Sequence, residues 1–201
     1  MPSLLDLLTM ALEEECDIRG ISFDGESAPE TVLEAVDVKD CTFTHCQLPD
    51  CCFQGTGFDQ VTFSHCDLSG ARFFDGGLKN VTFRDCRLLG TVFSGCVLNG
   101  VQFVDCSARY LNLSGCTLKS CDLQGGTFSG GAVAGCKCQK TTVQRCDFTR
   151  CDFSGTALAG FDFSDCTIDG AIWSLDKLQN MTVNMNQAVE LARLLGLNIV
   201  L

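Results

Sequence analysis

Histidine, cysteine and aspartate are the residues of this chain that could hold a metal or move protons, and they recur at fixed intervals. His45 and His65 are the only histidines and lie twenty residues apart, with Asp85 and Asp105 continuing the interval. Such a set could offer zinc two ligands in His65 and Asp85, with His45 as a third, provided they converge at about 2 Å on one ion. Cys136 and Cys138 form a CxC pair, and Asp162 with Asp165 could share acid–base work. The sequence has no phosphate-binding loop, dinucleotide fingerprint or CxxC pair. No Ser-His-Asp or Cys-His arrangement can be built from the two histidines. The chain is therefore read as a non-enzyme with no cofactor and no metal site.

A five-residue repeat positions these groups. Thirteen of the fifteen phenylalanines fall on one phase of it, from Phe23 and Phe43 to Phe163, and fourteen of the sixteen cysteines fall two residues earlier. A period of five matches neither a helix nor a flat strand, but it fits a chain that turns a corner every five residues. From Val38 to Trp173 there are twenty-eight successive centres without a slip, twenty-one of them Phe or Leu. The position two before each centre is small or apolar, mostly Cys. The position two after holds fourteen of the twenty glycines, as a corner with positive φ requires. Positions beside the centre are polar and predicted to face water. One unit buries two side chains of five, so stacked units must share a core, which is the logic of a solenoid.

The units CDFSG (Cys151 to Gly155), CDLSG (Cys66 to Gly70) and FDFSD (Phe161 to Asp165) resemble the pentapeptide-repeat family. That resemblance implies an all-β solenoid, a right-handed four-sided parallel β-helix of twenty residues per coil. Twenty-eight units then make about seven coils, with short helices at both ends. The expected organisation is an acidic helical cap and irregular first coil at 1–36, the β-helix at 37–178, and a C-terminal helix and apolar tail at 179–201. Folded at twenty residues per coil, Cys46, Cys66, Cys86, Cys106, Cys146 and Cys166 form an internal column broken by Gly126. Neighbouring Cβ atoms then lie about one strand spacing apart, ~4.8 Å, whereas a disulfide needs ~3.8 Å. Free thiols packed as small hydrophobes are expected, and with them a reducing, cytoplasmic compartment. Cys136 and Cys138 both point inward. Cys52 alone points outward, and nothing in the sequence lowers its pKa. His45, His65, Asp85 and Asp105 become one column of solvated corners, spread along the shaft rather than converging.

The formal charge of −11 is uneven. Residues 1–36 hold nine acids and one base, a net of −8, and residues 37–201 hold sixteen acids and thirteen bases, a net of −3. Direct binding to nucleic acid is not expected, because phosphates need a basic surface; a basic partner is compatible. No stretch approaches the ~20 apolar residues of a membrane span. The start lacks a basic region and does not read as a signal peptide. Ser3 with Asp6 marks a helix start, and residues 3–14 are read as an amphipathic helix over the open end of the solenoid.

At the other end, Asn184 or Asn186 can cap a helix, and Ala188, Leu191, Ala192 and Leu195 fall on one apolar face. Gly196 fits the stop, and Leu197, Ile199, Val200 and Leu201 form an apolar tail. The tail either covers the last coil of its own chain or makes a homodimer seam through Ala188, Leu191, Leu195, Leu197 and Ile199; the seam is the reading adopted. Gln187-Ala188, Leu191, Leu195-Gly196-Leu197 and Ile199 are similar to the C-terminal helix and tail of the quinolone-resistance group of the family, Qnr and MfpA. That similarity implies an end-to-end dimer that binds bacterial type II topoisomerase (DNA gyrase or topoisomerase IV) and inhibits or protects it as a mimic of duplex DNA. The loop-free register is closer to MfpA. The candidate contact is an acidic face with Asp85, Asp105, Asp122, Asp162 and Asp165 against Arg84 and Arg145, a net of −3. The neighbouring face carries Lys39, Lys79, Lys119, Lys137 and Lys140 against Asp37, Asp40 and Asp59, a net of +2, so the shaft is not charged all round as DNA is. The alternative is an interaction scaffold with an unrelated protein partner.

Overall fold

The computed structural model describes residues 3–14 and 16–200; Leu201 of the apolar tail lies outside them. The chain winds as a parallel β-helix with four faces. The first face carries seven strands, from Ile18–Arg19 and Asp37–Lys39 to Lys137–Gln139, and the second carries seven, from Ser22–Asp24 to Thr142–Gln144. The third is joined by single parallel bridges, Ser27 to Gln47 and on through Asp67, Arg87, Ser107, Thr127 and Asp147 to Thr167. The fourth has four strands, from Val32–Glu34 to Val92–Ser94, and continues as bridges from Val92 through Asn112, Ala132 and Asp152 to Ile172. Every pairing keeps a register of twenty: Phe63 opposite Phe83, Leu78 opposite Leu98, Phe73 opposite Phe93.

The register begins one coil before Val38. Ile18 pairs with Val38 and Phe23 with Phe43, while Ala28 and Leu33 are buried. An inward-phase acid, Glu26, hides this coil in the sequence. Its carboxylate accepts the backbone N–H of Leu4 at the start of helix α1 (Leu4–Glu14). The first turn of a helix leaves such donors free and favours negative charge, so an acid is tolerated where the solenoid ends. Helix α1 starts at a reciprocal cap, Ser3 Oγ donating to Asp6 at 2.7 Å and Asp6 N–H to Ser3 Oγ at 3.2 Å. It buries Leu4, Leu8 and Ala11 against the first coil.

The core is a set of ring ladders. On the second face Phe23, Phe43, Phe63, Phe83 and Phe103 stack at 4.9, 4.8, 5.2 and 5.1 Å. On the fourth, Phe53, Phe73 and Phe93 stack at 4.8 and 4.5 Å. The ladders meet edge-to-face, Phe83 to Phe93 at 6.2 Å and 76°. Each such contact adds ~0.5–1.5 kcal/mol to the burial itself. Truncating the fully buried Phe83 to Ala is therefore expected to remove about 3–5 kcal/mol. Phe74, half-buried beside the centre, should lose under about 1 kcal/mol on the same change. Urea denaturation of the two variants checks the contrast.

The cysteine position has a second role besides packing. The Cys66, Cys86 and Cys106 thiols donate to the carbonyls of Phe43, Phe63 and Phe83 at 3.2, 3.4 and 3.3 Å. Thr56 and Thr91 fill the same slot and donate to Leu33 and Leu68 at 3.2 and 2.8 Å. A small side chain with one weak donor suits a site flanked by backbone oxygen. Gly126 interrupts the column because the Phe128 ring and the Cys106 carbonyl occupy the space a Cβ would need.

Candidate interaction surfaces

His45 and His65 sit at corners with φ of 53° and 55°, and their rings stack at 5.3 Å and 11°. The His45 ring lies 3.1 Å from Asp24, and His65 lies 4.0 Å from Asp85. Their ring planes face each other along the shaft, so the nitrogens point sideways rather than to a common centre. Asp105 is one coil further on. Among the described residues no three His, Cys, Asp or Glu side chains are grouped to hold a metal ion.

All the cysteines are free thiols. Cys136 is buried and Cys138 half-buried, and burial pushes their pKa values up to about 12 and about 11. Cys146 and Cys166 are neighbours at the C-terminal end of the column. The Cys146 backbone N–H donates to the Cys166 sulfur at 3.5 Å. The Cys166 thiol favours ionisation of Cys146, lowering its pKa, and that of Cys166 is raised in return. Only Cys16 is exposed, and Cys52, on the fourth face, is half-buried. A native protein treated with a thiol-specific dye at pH 8 should accordingly label Cys16 quickly, the half-buried Cys52 and Cys138 slowly, and the rest only in denaturant. Rapid labelling of more than two would mean that the core thiols are accessible.

The five carboxylates of the second face are split into two groups. Asp85 and Asp105 occupy adjacent corners, at φ of 51° and 53°. Asp122 lies on the sheet and accepts the Thr142 hydroxyl at 2.5 Å. Asp162 and Asp165 lie beyond Arg145, whose backbone N–H donates to Asp165 at 3.1 Å. Asp162 is held below the usual carboxylate range by hydrogen bonds from Ser164. The depressions along this face are open to solvent; one is lined by Arg84, Gln102, Asp122 and Gln144.

The C-terminal helix α2 spans Met185–Leu194. Asn184 caps it by accepting the Gln187 N–H at 3.1 Å, and the Asn184 N–H donates in turn to Gln187 Oε1 at 2.8 Å. The same Gln187 side chain donates to the carbonyls of Phe163 and Cys166, both at 2.8 Å, and is the one buried residue of the helix. The helix is thus fastened to the last coils through a polar residue rather than through its apolar face. Leu191 and Ile199 are half-buried and Ala188 is exposed. Leu195 is 61% and Leu197 57% exposed, and Leu194 and Val200 are exposed as well, as is Met185 at the other end of the helix. Gly196 ends the turn at φ 76°. The Asn-x-x-Gln capping-box spacing was the sequence signal for Gln187; its second pair of bonds was not legible, because it depends on where two distant carbonyls fall.

A family model described as the pentapeptide repeat region matches residues 36–113 and 56–133, and a second, of eight pentapeptide repeats, matches 134–172. No curated protein sequence matches the chain. Among solved structures, QnrB1, a plasmid-mediated fluoroquinolone resistance protein, is 19% identical over 92% of this chain and 99% of its own, with a TM-score of 0.37. HetL, involved in heterocyst differentiation regulation in the cyanobacterium Nostoc sp. strain PCC 7120, is 14% identical over 90% and 95%, with a TM-score of 0.31. Rfr23 from the cyanobacterium Cyanothece 51142 is 12% identical over 89% and 98%, with a TM-score of 0.29. Similarities of this level say nothing of partner or activity.

Proposed function

The chain belongs to the pentapeptide-repeat family, and on that footing we propose that it is a non-catalytic protein that binds bacterial type II topoisomerase as a homodimer. It modulates DNA gyrase or topoisomerase IV, or protects it from quinolone-type inhibitors, by presenting part of its surface in place of duplex DNA. The exposed apolar end carries this reading. Leu194, Leu195, Leu197 and Val200 stand clear of the solenoid behind a helix pinned by Gln187. Such a cluster of large exposed apolar side chains at one end of the chain marks an association surface. A second copy related by a two-fold axis covers it with the same residues and doubles the rod. The similarity of this segment to the quinolone-resistance group supports the choice of partner.

Duplex DNA carries a charge every ~1.7 Å on all sides, while here the second face is acidic and the first is basic. Contact therefore uses one face, the one with Asp85 and Asp105, together with the acidic N-terminal cap. The buried free thiols suit a reducing cytoplasm, and among the described residues no helix is long and apolar enough to cross a membrane. Direct binding of the purified protein to immobilised gyrase and topoisomerase IV subunits tests the proposal. Saturable binding competed by duplex DNA is expected. Absence of binding at micromolar protein would favour the other reading, a scaffold for an unrelated protein, for which the lysines of the first face are the specific motive.

A further inference from the structure

We infer that Arg87, Leu89, Arg109 and Tyr110 on the third face form a docking spot for a protein segment that presents an apolar side chain beside a carboxylate. The shaft elsewhere exposes mostly polar and charged side chains and glycine, with Val32, Val97 and Ile172 as isolated apolar exceptions, and this spot differs in three ways. Tyr110 is the single tyrosine of the chain, and it is 57% exposed. Its Cδ1 and Cε1 atoms lie over Gly130, where they fill the place of a Cβ, and the corner on its other side is Gly90, with open space around it. The aromatic face is thus held in a fixed position above a bare floor. The Arg109 guanidinium sits 5.7 Å from the ring centroid, in reach of a cation–π contact.

Arg87, Leu89 and Arg109 also line a depression of about 440 Å³, closed at the corner by Asp85 and Asp105. Both arginines are exposed, and neither is ion-paired among the described residues. Two free guanidiniums beside an exposed leucine and tyrosine can take one carboxylate in a forked hydrogen bond and cover one apolar side chain. Tyrosine and arginine are the residue types that dominate the energy of protein interfaces. A polyphosphate chain does not fit as well: its repeating charge would run past Asp85 and Asp105 at one side and Asp67 and Asp147 along the face. The spot lies apart from α2 and does not depend on the topoisomerase reading.

The single tyrosine makes the test direct. Protein grown with 3-fluorotyrosine carries one fluorine signal, located in the spot. The probe is the peptide acetyl-Gly-Phe-Glu-Leu-Asp-Gly-amide, with its Gln/Asn counterpart and an oligothymidylate as comparisons. The acidic peptide should shift the signal saturably. The R87Q/R109Q double variant, with an unchanged melting temperature, should weaken the response about tenfold or more. The neutral peptide and the oligonucleotide should leave the signal in place. No shift at millimolar acidic peptide, an equal response to the neutral peptide, a response kept in the double variant, or a shift with the oligonucleotide would each overturn the inference.

Discussion

Raising the pH from 8 to about 11 is expected to unfold this protein in one cooperative step. Desolvation in the core pushes thiols up from an ordinary value of 9.0: Cys51 and Cys106 to about 11, and Cys116, Cys136 and Cys151 to about 12. Cys41, Cys96 and Cys121 move in the same direction for the same reason. Below the unfolded value both states hold the thiol proton, so stability is intact. Above it the unfolded chain releases protons that the folded core retains, and stability falls as pH rises toward the folded values. Each thiol contributes a loss of up to about 1.4 kcal/mol per pH unit. The five held at about 11 or 12 together remove roughly 7 kcal/mol per pH unit between the unfolded and folded values, comparable to the whole stability of an ordinary domain. Circular dichroism from pH 7 to 12 reads the transition. Threonine is the replacement that tests its origin, since Thr56 and Thr91 already occupy the same slot and make the same bond. Changing Cys106, Cys116, Cys121 and Cys151 to Thr should move the midpoint upward. A wild-type protein still folded at pH 12, or a variant that unfolds at the same pH, would show that thiol burial does not set the alkaline limit.

The second large effect is on assembly. The protein should run as a dimer by light scattering, and replacing Leu195 and Leu197 together by Asp should give monomers. Burying one leucine is worth at least about 1.5 kcal/mol, and a two-fold seam buries each twice. The double change thus costs about 6 kcal/mol or more, over ten-thousandfold in Kd, before the repulsion between carboxylates is counted. Both side chains stand in solvent in the single chain, so the monomeric variant should keep its circular dichroism and its melting behaviour at high dilution. Wild-type protein that is already monomeric at micromolar concentration would end the seam.

The fold was legible because the five-residue phase assigns each side chain before any contact is known. Phe83 and Cys86 could be placed in the core from their numbers alone. The first coil was harder to read, since Glu26 occupies an inward slot and its partner is a helix N–H that the repeat does not specify. Helix α2 was legible as an element through Asn184 and Gly196, but its attachment was not. The apolar face reads as a homodimer seam, and nothing in it shows that Gln187 holds the helix by bonds to Phe163 and Cys166. The surfaces were least legible. Face-by-face charge counting found the acids of the second face but missed that Arg145 divides them. It also passed over Arg109 and Tyr110, whose significance lies in a bare glycine one coil away.

The central claim is that this rod acts on a type II topoisomerase, and a gyrase supercoiling assay tests it most directly. Wild-type protein is titrated to micromolar levels with and without ciprofloxacin, beside the L195D/L197D variant. Expected is inhibition of supercoiling, or rescue of supercoiling from the drug, by the wild type and its loss in the monomeric variant. Neither inhibition nor rescue at any concentration would contradict the claim.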